Sequence, residues 1–254
     1  MKLSILAYNL IVAVAVAGVV QLDSSSFNQA ILSNDYSTSF VAFTAPWCGH
    51  CQRLHAPLNQ AANSLDGLVS FYNVNCDDSK NSNICSKYNV KGFPTLKMFN
   101  RGSKSPPKDY NGERTSAAIS EWAGREMRNV VSRLGDYGAL QSWLNKDTHS
   151  PHILVYTAKS STPTLLKALG LKFPGAKFGV MKSTSRNAEV KDALGLGEND
   201  IPALFVITDG SIENAERYQG KLKYKPLNQY LQQTLPSQSK TPLSNDSKKP
   251  RTEL

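Results

Sequence analysis

The sequence predicts a mixed α/β protein that contains two domains of the same plan. Short apolar runs alternate with helical patterns along all 254 residues, a length that allows one or two domains. A proline is followed 16 residues later by Tyr-x-Gly twice, at Pro94 and Tyr110 and again at Pro202 and Tyr218. An apolar content of 40% is enough for ordinary packed cores and argues against global disorder.

The first domain is predicted over residues 18–128, with elements in the order β-α-β-α-β-α-β-β-α. Periodicity and turn residues define each element, and Ser25 or Ser26 is expected to cap the first helix. The predicted strands are residues 18–22, 40–43, 68–74 and 93–99 and a short edge strand ending at 110–112. The predicted helices carry residues 27–32, 49–65, 79–88 and 115–127.

The second domain is predicted over residues 129–235 and repeats this plan. Thr157-Ala158 stands where Thr44-Ala45 stands in the first half, but no cysteine follows it. This half is therefore predicted to repeat the fold without a cysteine pair at that place, with a convergent α/β unit as the alternative. The predicted strands are residues 130–134, 152–156, 176–181, 201–206 and 218–220, and the predicted helices are 137–144, 164–171, 188–194 and 224–235.

The chemistry is expected at Cys48 and Cys51, which lie where an apolar strand gives way to a helical pattern. Two cysteines at this spacing can close a disulfide or open to a dithiol. Cys48 is expected at the helix N-terminus, where unpaired N–H groups and the helix dipole stabilise a thiolate. His50, when protonated, adds positive charge, so the disulfide form is expected to be oxidising. Half of a zinc site or an inert disulfide is the alternative, but no second ligand pair completes a zinc site.

Trp47-Cys48-Gly49-His50-Cys51 resembles the active site of the protein disulfide isomerase family, and the resemblance covers residues 19–127. It implies two tandem thioredoxin-like domains, the first redox-active and the second without the cysteine pair. It also implies thiol–disulfide exchange on cysteine-containing secretory proteins, supported by an upstream thiol oxidant of the endoplasmic reticulum. Cys48 is then the exposed nucleophile and Cys51 the less exposed resolving thiol. No cofactor is expected, because the cysteines themselves carry the electrons.

The resemblance assigns further roles and shows two departures. Pro94, after Phe93, matches the family's cis-proline, and Arg114 matches an arginine that swings toward the second cysteine. The family's buried glutamate and its lysine partner are replaced by Ala42 and Asn73, so slower resolution of mixed disulfides is expected.

Cys76 and Cys85, nine residues apart, flank a loop and a short helix. Smaller relatives with one active domain carry a similar pair. A structural disulfide is the main interpretation, and a second redox-sensing pair is the alternative.

The two ends of the chain predict the compartment. Residues 1–17 read as a secretory signal peptide, with Lys2, an apolar run and the small-x-small pattern of residues 15–17; a retained membrane anchor is the alternative. Residues 236–254 read as a disordered tail that contains a glycosylation sequon at Asn245. Arg251-Thr252-Glu253-Leu254 resembles a KDEL-type retrieval address, which predicts the lumen of the endoplasmic reticulum and a retrieval receptor as a partner.

The net charge of +9 is scattered, which disfavours nucleic-acid binding, and no segment beyond the N-terminus is apolar enough to span a membrane. A client-binding chaperone or adaptor with secondary redox activity remains an alternative function.

Overall fold

The computed structural model describes residues 18–235, which form two compact units that divide between Arg128 and Asn129. The predicted signal peptide, the tail with Asn245 and the C-terminal tetrapeptide lie outside the described residues. Among the residues described, no helix is long and apolar enough to cross a membrane.

The first unit is built on a five-stranded mixed sheet with the order β1-β3-β2-β4-β5. β1 and β2 run parallel to β3, whereas β4 is antiparallel to both β2 and β5. The strands are β1 (Val19–Leu22), β2 (Ser39–Thr44), β3 (Ser70–Asn75), β4 (Thr95–Phe99) and β5 (Lys108–Asp109). The helices are α1 (Ser24–Phe27), which continues as a π-helical turn (Asn28–Leu32), α2 (Gly49–Ser64), α3 (Ser82–Lys87) and α4 (Ser116–Glu126).

The central strand β2 is flanked by strands on both edges, and only its last residue, Thr44, is partly exposed. Phe27, Phe43 and Phe99 pack together on one side of the sheet, each at most 1% exposed. Burying one such side chain contributes about 1.5–3 kcal/mol. This packing fixes the strand whose carboxyl end leads into the cysteine pair.

The start of the first helix differs from the prediction. Asp23, not Ser25 or Ser26, is the N-cap: its carboxylate accepts the N–H groups of both serines, and the Ser26 hydroxyl accepts the N–H of Asp23. An aspartate followed three residues later by serine forms a capping box here, so the cap lies one residue before the helix.

The second unit repeats the topology, with a five-stranded sheet in the order β6-β8-β7-β9-β10. The pairs β6–β8 and β8–β7 are parallel, and β7–β9 and β9–β10 are antiparallel. The strands are β6 (Ser132–Leu134), β7 (His152–Thr157), β8 (Lys177–Lys182), β9 (Ala203–Ile207) and β10 (Glu216–Arg217). The helices are α5 (Tyr137–Asn145), α6 (Thr164–Lys172), α7 (Ala188–Ala193) and α8 (Tyr224–Thr234).

The two sheets confirm the α/β class and the repeated plan. Most observed boundaries lie within two residues of the predicted ones. The edge strands differ more: β5 and β10 precede the two tyrosines of the Tyr-x-Gly pairs instead of containing them. Each edge strand has two residues, too few to leave a periodic pattern in the sequence.

Candidate active site

Cys48 is the N-cap of α2. β2 ends at Thr44, and a turn closed by the Cys48 N–H on the Ala45 carbonyl (3.2 Å) leads into the helix. The Cys48 sulfur accepts the N–H of Cys51 at 3.2 Å, as a serine or aspartate oxygen does at other helix starts. The sulfur therefore lies at the positive end of the helix dipole, which favours negative charge on it.

The cysteine pair is closed as a disulfide, with Cα atoms 5.3 Å apart. Cys48 is 7% exposed and Cys51 8%, so the two residues are equally buried in this oxidised form, and the greater exposure expected of the Cys48 thiol stays a prediction. Ala45 forms a small buried cluster with the two cysteines, and the half-buried Phe93 packs against this cluster. Phe93 comes from a distant loop, and its covering of the pair cannot be inferred from the cysteine motif.

The cation over the helix start is Arg53, which the sequence analysis missed. Its guanidinium donates to Nδ1 of His50 at 2.9 Å. Because arginine can only donate, Nδ1 acts as the acceptor in this hydrogen bond. Arg53, three residues later on the same helix face, therefore adds a permanent cation beside His50. The charge expected from His50 itself stays a prediction.

Exposed aromatic surface borders Cys48. Trp47 is 68% exposed, and its ring meets Phe93 edge-on with centroids 5.7 Å apart. The indole Nε1 donates to Asp77 at 2.9 Å, which fixes the ring over the loop after β3. Pro94 is buried, and the Phe93–Pro94 peptide bond is cis.

Arg114 is exposed and has no hydrogen-bond or ion-pair partner among residues 18–235. It precedes Thr115, which caps α4 by accepting the N–H of Ala118 at 3.2 Å. The role of Arg114 at Cys51 therefore stays a prediction.

Ala42 and Asn73 are register partners on the parallel strands β2 and β3, so they lie side by side. Ala42 is fully buried. Asn73 donates to Gln21 at 2.8 Å and accepts from the Thr44 hydroxyl at 2.9 Å. An uncharged chain of hydrogen bonds therefore occupies the strands where the related family has an ion pair.

A cavity of 490 Å³ lies beside this chain of polar groups and reaches Cys51. Its walls include Gln21, Thr44 and Asn73 from the sheet and Cys51 and His55 from one face of α2. Because each bulk water takes about 30 Å³, the cavity has room for several waters beside the resolving cysteine.

The second cysteine pair is also bonded: Cys76 and Cys85 form a disulfide with an S–S distance of 2.00 Å. It joins the end of β3 to α3, and Asp77, the partner of Trp47, follows directly after Cys76. No group of three or more His, Cys, Asp or Glu side chains in residues 18–235 is arranged to hold a metal ion.

The second unit lacks a cysteine pair at the corresponding place. Thr157 ends β7, and Lys159 and Ser160 follow. The Ile201–Pro202 bond is cis, as Phe93–Pro94 is in the first unit.

Residues 18–125 match the family model described as Thioredoxin. A Dictyostelium discoideum protein that bears the protein disulfide-isomerase name is 30% identical over 224 residues, which cover 85% of this chain and 52% of the relative. Protein disulfide-isomerase A6 homolog of Drosophila melanogaster is 43% identical over 114 residues, which cover 45% of this chain and 25% of that protein. The chain spans about half the length of the curated relatives it matches, or less.

Among solved structures, form I of ERdj5 aligns with 86% of this chain and 29% of its own, with a TM-score of 0.66 and 18% identity. This likeness concerns the fold alone. Together with the thioredoxin match it confirms the predicted thioredoxin-like fold class.

Proposed function

Because the chain belongs to the protein disulfide isomerase family, we propose that it catalyses thiol–disulfide exchange in cysteine-containing secretory proteins. The observation that carries the proposal is the position of Cys48 as the N-cap of α2, with a helix N–H donated to its sulfur. A sulfur held there is a good leaving group and, once released, a thiolate available for attack.

Oxidation of a client begins when a client thiolate attacks the Cys48 sulfur. The Cys48–Cys51 bond breaks, Cys51 leaves with the electron pair, and a mixed disulfide forms. A second client thiolate then attacks the client sulfur of that bond and releases Cys48 as thiolate. Two electrons have passed to the cysteine pair, and two protons have left the client thiols.

Isomerisation uses the reduced pair in the reverse sense: the Cys48 thiolate attacks a client disulfide, and Cys51 resolves the mixed disulfide if the client does not. Resolution by Cys51 leaves the pair oxidised and the client reduced. After the pair has instead oxidised a client, an upstream thiol oxidant must restore the Cys48–Cys51 disulfide. Trp47 and Phe93 offer an apolar surface beside Cys48 against which an unfolded client segment can pack.

The proposed compartment is the lumen of the endoplasmic reticulum. It rests on the sequence of residues 1–17 and 251–254, and the oxidising conditions there suit both disulfides. A retrieval receptor is the partner proposed for the C-terminal tetrapeptide.

A client-binding role is the second candidate, and a cavity in the second unit favours it. This cavity of 360 Å³ lies beside Pro202 and is lined by apolar side chains, among them Val155, Leu166, Leu204 and Leu227. A redox-inactive unit with an apolar cavity is suited to holding an unfolded segment.

The double variant Cys48→Ala/Cys51→Ala separates the two functions. We expect it to lose catalysis of oxidation of a peptide with two cysteines, measured by the rate of peptide disulfide formation in a glutathione buffer. The matched control Cys76→Ser/Cys85→Ser keeps the Cys48–Cys51 pair and is expected to retain catalysis. Equal catalysis in wild type and the first variant would reject the redox function. Undiminished suppression of client aggregation by that variant would support the binding function.

A further inference from the structure

We propose that the second unit binds a small anionic ligand, bearing phosphate or carboxylate groups, in a cavity at the carboxyl ends of its parallel strands. The cavity has a volume of 440 Å³, within the size range of small-molecule sites. It lies where β6, β7 and β8 end, and its polar lining includes Arg133, Lys159, Ser160, Lys182, Arg186 and Asn187.

Four cations surround this cavity without a counter-charge. Arg133 lies in β6, and Lys159 lies in the segment after β7. Lys182 ends β8, and Arg186 lies in the turn that follows it. No carboxylate lines the cavity, and none of the four cations is ion-paired with another described residue. By contrast, Lys177 and Arg217 of the same unit have aspartate partners.

The clustering itself indicates an anion. Like charges that converge on a concave surface repel one another, and the low-dielectric walls strengthen their combined potential. An anion in the cavity would remove that repulsion. The hydroxyl of Ser160, also in the lining, can donate hydrogen bonds to the oxygens of phosphate or carboxylate.

A buried amide also contributes to the lining of the cavity. Asn187 is 2% exposed, and its Nδ2 donates to the Lys182 carbonyl at 2.9 Å. This bond fixes the amide, yet Oδ1 is buried and has no hydrogen-bond partner among the described residues. Buried acceptors almost always have a donor.

The location corresponds to the redox site of the first unit. There the segment after the central strand β2 carries Cys48, and the cavity beside Cys51 opens at the same strand ends. In the second unit the segment after the central strand β7 carries Lys159 and Ser160 instead. The strand ends that carry the cysteine pair in the first unit thus carry cations in the second unit. The proposed anion site does not depend on the redox activity of the first unit.

The test is a titration of the full ¹⁵N-labelled chain at low ionic strength with pyrophosphate and, separately, citrate. We expect the amide signals of Gly135, Ser160 and Ser161 and the side-chain amide of Asn187 to shift together, with a dissociation constant at or below about 1 mM for the matching probe. The two probes distinguish phosphate from carboxylate recognition.

Variants supply the control. Arg133→Gln/Lys182→Gln is expected to weaken binding at least tenfold, whereas Lys221→Gln/Lys223→Gln removes the same charge outside the cavity and is expected to change it less than twofold. Equal weakening by both variants, shifts spread over the basic surface, or no shift up to about 10 mM of either probe would overturn the proposal. The location of the wild-type shifts decides the question even if a variant folds poorly.

Discussion

At the residue scale, the charge around Cys48 depends on a hydrogen bond between two side chains of α2. Arg53 donates to His50, and its guanidinium lies over the first turn, with Nη1 3.7 Å from where a Cβ on Gly49 would be. Arginine keeps its charge at any physiological pH, whereas histidine does not. Arg53 is therefore a permanent cation near the first turn of α2 and is expected to help stabilise a Cys48 thiolate.

Replacing Arg53 with glutamine tests this arrangement. We expect the thiolate fraction of reduced Cys48 to fall, because a nearby cation is lost, and its alkylation by iodoacetamide near neutral pH to slow by roughly three- to tenfold. The rate is measured by mass spectrometry of the Cys48 peptide. Arg101→Gln removes an exposed cation after β4, at the end of the sheet away from Cys48, and serves as the control. An unchanged alkylation rate in Arg53→Gln would show that Arg53 does not stabilise the Cys48 thiolate.

The sequence predicted the residues that are proposed to react but not all of those that surround them. Cys48, Cys51 and Pro94 stand in contiguous motifs, so their positions could be read directly. Arg53 left a signal, its spacing of three from His50 on a helix. The contacts of Phe93 with the cysteines and of Asp77 with Trp47 depend on loops that meet only in the folded chain.

At the element scale, the pairing of β2 with β3 determines which side chains lie near Cys51 and could exchange protons with it. The register places Ala42 beside Asn73. These are the two positions at which the resemblance indicated that the family's glutamate and lysine are replaced. The hydrogen bonds to Gln21 and Thr44 and the cavity reaching Cys51 could not be foreseen, because β1 meets β3 only in the folded sheet. With no carboxylate on these strands, the imidazole of His55 in the cavity wall and solvent are the groups left to exchange the proton.

The double variant Ala42→Glu/Asn73→Lys restores a charged pair at this register. We expect resolution of a mixed disulfide by Cys51 to accelerate, on the order of tenfold, because a positioned carboxylate can take up and return the Cys51 proton. Quenched-flow trapping of the mixed disulfide with a peptide measures the step. Equal or slower resolution in the double variant would reject this explanation.

The single variant Ala42→Glu is the control for that experiment. Ala42 is fully buried, and an unpaired charge there is expected to destabilise the first unit by about 3–5 kcal/mol, as breaking a buried ion pair does. Recovery of much of that loss in the double variant, measured by urea unfolding, would show that the two side chains pair.

At the scale of the whole molecule, the repeat was predictable because the same steric requirement occurs twice. A Cβ on Gly112 would lie 2.8 Å from the hydroxyl of Tyr110, and one on Gly220 would lie 2.2 Å from that of Tyr218. Any side chain at either glycine would clash with the tyrosine ring two residues earlier, so each unit requires the Tyr-x-Gly pattern. The cationic cavity left no such signal, since Arg133, Lys159 and Lys182 are far apart in the sequence.

The two units also differ in how they should respond to acid. His152 of the second unit is fully buried, with its ring edge-on to Trp143 at 4.5 Å between centroids, whereas His50, His55 and His149 are exposed. Burial lowers the pKa of His152, and Lys177 adds to this; the carbonyls of Trp143 and Ser150 and the carboxylate of Asp147 oppose it. Hydrogen bonds from Ser150 and Lys177 hold the pKa of Asp147 at about 2, so its charge is constant above pH 5.

We therefore expect the second unit to lose stability as the pH falls below about 6.5, the value of an unfolded histidine. Between the folded and unfolded pKa values of His152 the unfolded state binds the extra proton, so the free energy of unfolding drops by up to about 1.4 kcal/mol per pH unit. Hydrogen exchange of peptides from β7 and β8 in the full chain, corrected for intrinsic rates, measures this slope. His152→Gln should flatten it, and His149→Gln should leave it intact. A full slope in His152→Gln would show that another group binds the proton.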